Sequence, residues 1–195
     1  MLVEQVLKDI YKIEIPLPDN PLKSLNTYLI KSTEGRNLLI DTGFNRSECK
    51  DAIERALAEL EVDMSMTDLF ITNLHSDHCG LISGRPEKNS RIDCSVKDGA
   101  LINYETDEEY WERLDELFIG YGFPRAQFGR NTDIHPGRRF SNEDIVDFTY
   151  LDENDTLTVG EYQLSCILTP GHTPGHMCLY DREKKVLFSG DHILG

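Results

Sequence analysis

The densest chemistry in the chain is Asn73-Leu74-His75-Ser76-Asp77-His78-Cys79-Gly80, which follows directly on the apolar run Asp68-Leu69-Phe70-Ile71-Thr72. Two imidazoles and a carboxylate this close together, in a turn entering a helix, can converge on a divalent cation that accepts nitrogen and oxygen ligands. A histidine pair alone would carry little weight, because a histidine at a strand end more often bonds to backbone or solvent. Here the signal recurs. Thr169-Pro170-Gly171-His172-Thr173-Pro174-Gly175-His176 brings two more histidines, and Gly190-Asp191-His192 forms a third polar segment at a strand end. Of the six histidines only His135 lies elsewhere. The glycines and prolines of the second segment force a tight, non-helical backbone and hold His172 at a strand end. That rigidity suits a ligand whose position must hold within fractions of an ångström.

The elements that must position these residues can be read from periodicity. Ile10–Ile15, Asn26-Thr27-Tyr28-Leu29-Ile30 and Asn37-Leu38-Leu39-Ile40 look like strands, separated by turn signals such as Glu34-Gly35 and ending in Asp41-Thr42-Gly43. Ile53, Ala56, Leu57 and Leu60 fall at helical spacing, which predicts a helix over Glu48–Glu61 with Ser47 as its N-cap. Asp68–Thr72 is a short buried strand, and polar chemistry at a strand's C-terminal end is a common site location in layered α/β folds. The acidic stretch from Asp98 to Phe118 is helix-like, with Leu101, Tyr104, Trp111, Leu114 and Phe118 expected in the core. Arg125–Phe140 has no clear period and is expected to be a long surface loop, a frequent form of lid. Thr156–Val159, Tyr162–Leu168 and Val186–Ser189 complete the strands, the first two as a hairpin across Gly160-Glu161. This order predicts an α/β fold with sheets covered by helices, and no linker or repeat divides residues 1–195, so one domain is expected.

Composition narrows the function classes. Asp and Glu number 35 against 20 Lys and Arg, a net charge of −15, which repels a phosphate backbone and argues against a nucleic-acid partner. Bound divalent cations would reverse that sign locally. No stretch approaches the roughly 20 apolar residues of a membrane helix, and the N-terminus lacks the basic start and apolar core of a cleaved signal. The five cysteines, Cys49, Cys79, Cys94, Cys166 and Cys178, are odd in number and scattered, as in a reducing compartment. A cytoplasmic location is expected.

Taken together, these motifs resemble the metallo-β-lactamase superfamily, whose pattern is His-x-His-x-Asp-His after a strand, a Thr-Pro-Gly-His turn, and an aspartate at a later strand end. His75, Asp77 and His78 match the last three positions of the first motif, His172 the turn histidine, and Asp191 in Phe188-Ser189-Gly190-Asp191 the bridging aspartate. Leu39-Ile40-Asp41-Thr42-Gly43 resembles the family's early strand and turn. The likeness runs from about Ser24 to Gly195 and is weakest around residues 98–148. It implies a four-layer αββα sandwich and two zinc sites, with iron or manganese as other occupants. One site would draw on position 73, His75, His172 and Asp191, the other on Asp77, His78, Asp191 and a later histidine. Position 73 is Asn, a weaker zinc ligand than histidine, and without the later histidine this chain by itself is expected to hold one metal or none. The apolar ending Ile193-Leu194-Gly195 and the lack of a later histidine suggest an incomplete fold, with self-association through the open edge.

The resemblance implies a hydrolase in which metal-activated hydroxide attacks a small thioester, lactone or related ester, with Asp77 holding the nucleophile and shuttling its proton. A piece lacking the later ligand would be inactive by itself. Two other readings stay open: an iron-dependent redox enzyme on the same ligands, and a non-catalytic relative with a degraded site. His176 is expected to support the site without ligating, His192 to point away, Asp41 either to orient a histidine or merely to form a turn, and Cys79 to be a small packing residue.

Overall fold

The computed structural model describes residues 2–83, 90–125 and 136–193. In chain order the elements are β1 (Val3–Leu7), β2 (Ile10–Pro16), β3 (Ser24–Ile30), β4 (Asn37–Ile40), α1 (Ser47–Glu59), β5 (Thr67–Ile71), α2 (Ser76–Cys79), β6 (Ile92–Ser95), α3 (Val96–Tyr104), α4 (Glu108–Gly120), α5 (Pro136–Arg139), β7 (Thr149–Leu151), β8 (Thr156–Val159), β9 (Tyr162–Leu168), β10 (Met177–Asp181) and β11 (Val186–Phe188). One sheet runs β1 to β7 in sequence order, and a second runs β11-β10-β9-β8. The first begins antiparallel through β4 and continues parallel from β4 to β7. Parallel pairing requires crossovers, and α1 to α4 supply them. Consequently the C-terminal ends of β4, β5 and β6 open on the same rim, where the residues after each strand can meet.

Period-two patterning decides which side chain enters which core. Ile13, Ile15, Leu29, Leu39, Leu69, Ile71 and Cys94 face the helical layer and pack on Ile53, Ala56 and Leu57 of α1. Their neighbours Ile10, Ile30, Leu38, Ile40 and Phe70 face the other way, onto Leu157, Leu164, Cys166, Met177, Leu179 and Phe188 of the second sheet. The first sheet is therefore apolar on both faces, which explains why β4 and β5 read as continuous apolar runs. Full burial of each such Leu, Ile or Phe stabilises by about 1.5–3 kcal/mol. Among the described residues the layers are helices, sheet, sheet.

Several expectations change in detail. Ser47 is the first residue of α1 and Arg46 is its cap, in extended backbone, because Arg46 is tied to Asp19 (2.9 Å) and Glu48 (2.8 Å) while its carbonyl accepts Lys50 N–H. The acidic middle is two helices, α3 and α4, and of its five apolar markers only Trp111 is buried; Tyr104 is 41% exposed. Among the described residues α4 buries one side chain, Trp111, whose indole N–H donates to the Glu105 carbonyl at 2.8 Å. Of the expected loop Arg125–Phe140, positions 126–135, with His135, lie outside the described residues; Pro136–Arg139 is a helical turn and Phe140 packs against Phe44. Strands β1, β7 and β10 carry no clear alternation in the sequence, and β6 alternates over only four residues.

Candidate metal centre

Asp41 follows β4 in the left-handed region, at φ 63°, a conformation Asp and Asn tolerate better than most residues. This turn throws its carboxylate across the end of β5, where it accepts from Thr72 N–H (2.9 Å) and Thr72 Oγ1 (2.8 Å) and meets His78 Nδ1 at 2.8 Å. Of the two sequence readings of Asp41, the orienting one matches this contact. Thr42 fixes the same histidine from its backbone side, its N–H and hydroxyl both donating to the His78 carbonyl at 2.8 Å. His78 is buried, and its free nitrogen, Nε2, faces Asp191 Oδ2 at 3.1 Å and Asp77 Oδ2 at 3.8 Å.

Asn73 is fully buried. Its amide group donates to Thr72 Oγ1 (3.2 Å) and its carbonyl oxygen accepts from His75 N–H (3.0 Å), an Asx turn that swings the chain into α2. The oxygen that could serve a cation is thus spent on shaping the turn. His75, at the N-cap of α2, presents Nδ1 to His172 Nε2 at 2.8 Å, their rings edge to face. Cys79 is a buried thiol that donates to the Leu74 carbonyl, and burial raises its pKa well above the ordinary range, so it offers no thiolate.

The third segment closes the site. A turn at Gly190, φ 47°, lets Asp191 reach back over β5; a Cβ at Gly190 would stand 2.8 Å from both His176 Nε2 and Thr72 Oγ1. Asp191 Oδ2 then lies 3.1 Å from His78 Nε2 and 3.0 Å from His172 Nε2. His176 is buried, with Nδ1 on Thr169 Oγ1 at 2.7 Å, and burial lowers its pKa to about 4, so it is a neutral packing ring beside the centre. His192 stacks towards His176, 6.2 Å between centroids, and joins neither donor group.

Two donor groups result: His75, His172 and Asp191, and Asp77, His78 and Asp191, each with ligand atoms within 4.8 Å of one another. Two donors each about 2.1 Å from a tetrahedral ion stand ~3.4 Å apart, close to the contacts here. Electrostatics agree with that fit. Burial favours a neutral His78, yet Asp41, Asp191 and Asp77 together raise its pKa well above the ordinary value. Burial would likewise raise Asp191, but His78 and the other two imidazoles bring it down to about 2. Such a cluster demands positive charge, and a divalent cation supplies it without a proton on the ligand. The residues present fit a divalent metal pair with nitrogen and oxygen donors.

The sequence reading overlooked Thr72, whose hydroxyl joins Asp41, Asn73 and His78. It also overlooked Asp98, which is buried behind the histidines. The spacing Ser95-x-x-Asp98 marks a helix start, but it gives no sign of what Asp98 faces. No helix among the described residues is long and apolar enough to cross a membrane.

Known proteins share this sequence pattern and fold. The chain is 51% identical over 178 residues to "Acyl-coenzyme A thioesterase MBLAC2" of Gallus gallus, covering 86% of this chain and 57% of that protein. It is 30% identical over 175 residues to "Beta-lactamase-like protein 2 homolog" of Caenorhabditis elegans, covering 89% of this chain and 46% of that one. The chain thus spans about half the length of these curated relatives. Among solved structures, a metallo-beta-lactamase family protein of Thermus thermophilus superposes with a TM-score of 0.84 at 26% identity, over 97% of this chain and 61% of that one. Residues 21–195 match the family described as the metallo-beta-lactamase superfamily, and the chain belongs to that superfamily.

Proposed function

We propose that the full-length protein is a zinc-dependent hydrolase that cleaves a small thioester or related ester. The observation that carries this reading is the convergence of both donor groups on one atom, Asp191 Oδ2, at the rim of the parallel strands. Bound zinc contributes Lewis-acid charge that brings the pKa of a water near 7 and polarises an acyl carbonyl. The chain's own residues do the rest. Asp41 holds the His78 ring in one orientation through Nδ1, leaving Nε2 for the metal. Asp77, partly exposed at the first turn of α2, faces the same space and takes the proton of the attacking water.

Beside these carboxylates lies a cavity of about 400 Å³ with an apolar wall of Leu17, Leu22, Leu25, Tyr28 and Phe188. An apolar wall next to a polar, charged end suits an acyl group whose carbonyl must reach the centre. The name of the Gallus gallus relative favours a thioester among the esters considered. The test is thiol release from acyl thioesters by full-length protein before chelation, after chelation and after zinc return. Activity lost on chelation and regained with zinc is expected. Thioester turnover that survives complete metal removal, or a zinc-loaded protein that releases no thiol, would overturn the reading.

A further inference from the structure

We infer that Asp98 is a positioning residue that clamps the two histidine segments together and so sets the approach of His75 to His172; this rests on the metal-centre reading above. Asp98 is fully buried in the first turn of α3, where its own N–H donates to the capping hydroxyl of Ser95 at 3.2 Å. An acid at this helical position commonly turns back to the cap residue's N–H. The Asp98 carboxylate instead spans two loops from different parts of the chain. Oδ2 accepts from Leu74 N–H at 3.1 Å and from the Thr173 hydroxyl, and Oδ1 accepts from Gly175 N–H at 2.7 Å. Leu74 precedes His75, and Thr173 follows His172. One carboxylate therefore grips a residue next to each of the two histidines.

The approach is built in on both sides. A Cβ on Gly175 would lie 2.3 Å from Ser95 Oγ and 2.7 Å from Asp98 Oδ1, so only glycine lets the turn come this close. Thr173, like Asp98, is buried. The positive end of the α3 dipole favours a carboxylate here, and charge-assisted bonds from N–H and O–H groups are stronger than neutral ones. His75 and His172 need such help. Among the described residues, neither has a buried carboxylate on its second nitrogen as His78 has Asp41. Their mutual position is set by where the backbone puts them, and Asp98 ties those two stretches of backbone together.

The test uses full-length protein and measures zinc affinity by competition with a chromophoric chelator, alongside thermal unfolding of the metal-free form. Asp98→Asn keeps the shape but turns an amide donor towards donors. Zinc affinity is expected to fall about 10–100-fold, the usual effect of losing a group that orients ligands. Thr173→Val removes a single bond and is expected to lose several-fold, and adding it to Asp98→Asn should cost little more, because both act through one carboxylate. A merely structural Asp98 would lower the unfolding temperature of the metal-free protein and leave affinity within twofold, which overturns the inference. If Asp98→Asn does not fold, Thr173→Val decides: unchanged affinity overturns the clamp, and a several-fold loss supports it. Unaltered protein that binds no zinc overturns the metal reading and the clamp with it, whereas tight binding equal in all variants overturns the clamp alone.

Discussion

His75 and His78 leave the same short turn, yet the two halves of the centre that they serve are built on different principles. His78 is buried, carries Asp41 on one nitrogen and Asp191 on the other, and has its carbonyl pinned by Thr42. Its ring has one orientation because a carboxylate faces each of its nitrogens. His75 opens towards solvent and meets His172 edge to face, and burial together with the His172 charge lowers its pKa. The buried half gathers negative charge that a cation would balance, while the open half gathers two imidazoles that a cation would hold apart from each other's protons. Preorganisation by side-chain partners is robust to motion of the loops. Preorganisation by backbone position depends on what ties the loops down, here the Asp98 bridge and the Met177 N–H donated to the Thr72 carbonyl at 2.9 Å.

The hardest test of this division is at the atom both halves share. Asp191→Asn in the full-length protein is expected to reduce thioester hydrolysis by about 10³-fold or more, the several kcal/mol that metal charge contributes to such a transition state. Zinc content, read by elemental analysis, should drop for both halves together. Loss of a single equivalent with activity retained would show that the halves are independent and that Asp191 does not bridge them.

A narrower cut separates the buried half from the open one. Asp41→Asn keeps a residue that tolerates φ 63° and a carbonyl oxygen for Thr72, but removes the charge facing His78 Nδ1. Zinc affinity of the buried half should fall about 10–100-fold. The open half should be affected far less, so a two-step competition titration should show one step moved and the other in place. A uniform shift of both steps would mean that Asp41 acts on the whole rim and that the division drawn here is too sharp.

How much of this was legible in the sequence follows the same division. The histidine and aspartate strings were readable because their members are neighbours in the chain, and His75, Asp77, His78, His172 and Asp191 do come together in space. Strands β2, β4, β8 and β9 were readable from alternation or short apolar runs between turn residues. Strand β10 was not, since Met177-Cys178-Leu179-Tyr180 follows the His176 turn without a break and is buried on both faces. Strand β7 is three residues long, and two of the three are exposed. The supports were hidden for a different reason. Asp98 lies 24 residues from Leu74 and 77 from Gly175, so its partners exist only once β6 and α3 are placed beside the turn. Ser47 misled because a good capping residue next to an arginine with two acidic partners yields the cap position to that arginine.

Asn73 is where sequence and structure bear on each other most directly, and it gives the mildest of these perturbations. At this position the resemblance expects histidine, and the geometry shows what asparagine does instead: it bonds His75 N–H and Thr72 Oγ1 from a fully buried slot. Asn73→His offers the open half a third imidazole at the cost of those bonds. Zinc affinity of that half should rise on the order of tenfold, about 1.4 kcal/mol. The metal-free protein should lose about 1 kcal/mol through the missing turn bonds, an unfolding temperature lower by roughly 2–4 °C for a chain of this size. The two effects have opposite signs, so they can be read separately, one by chelator competition and the other by thermal unfolding without metal. Unchanged affinity with the expected loss of stability would mean that the imidazole cannot leave the buried slot, and that the open half is limited by the path of the turn and not by the identity of its residue.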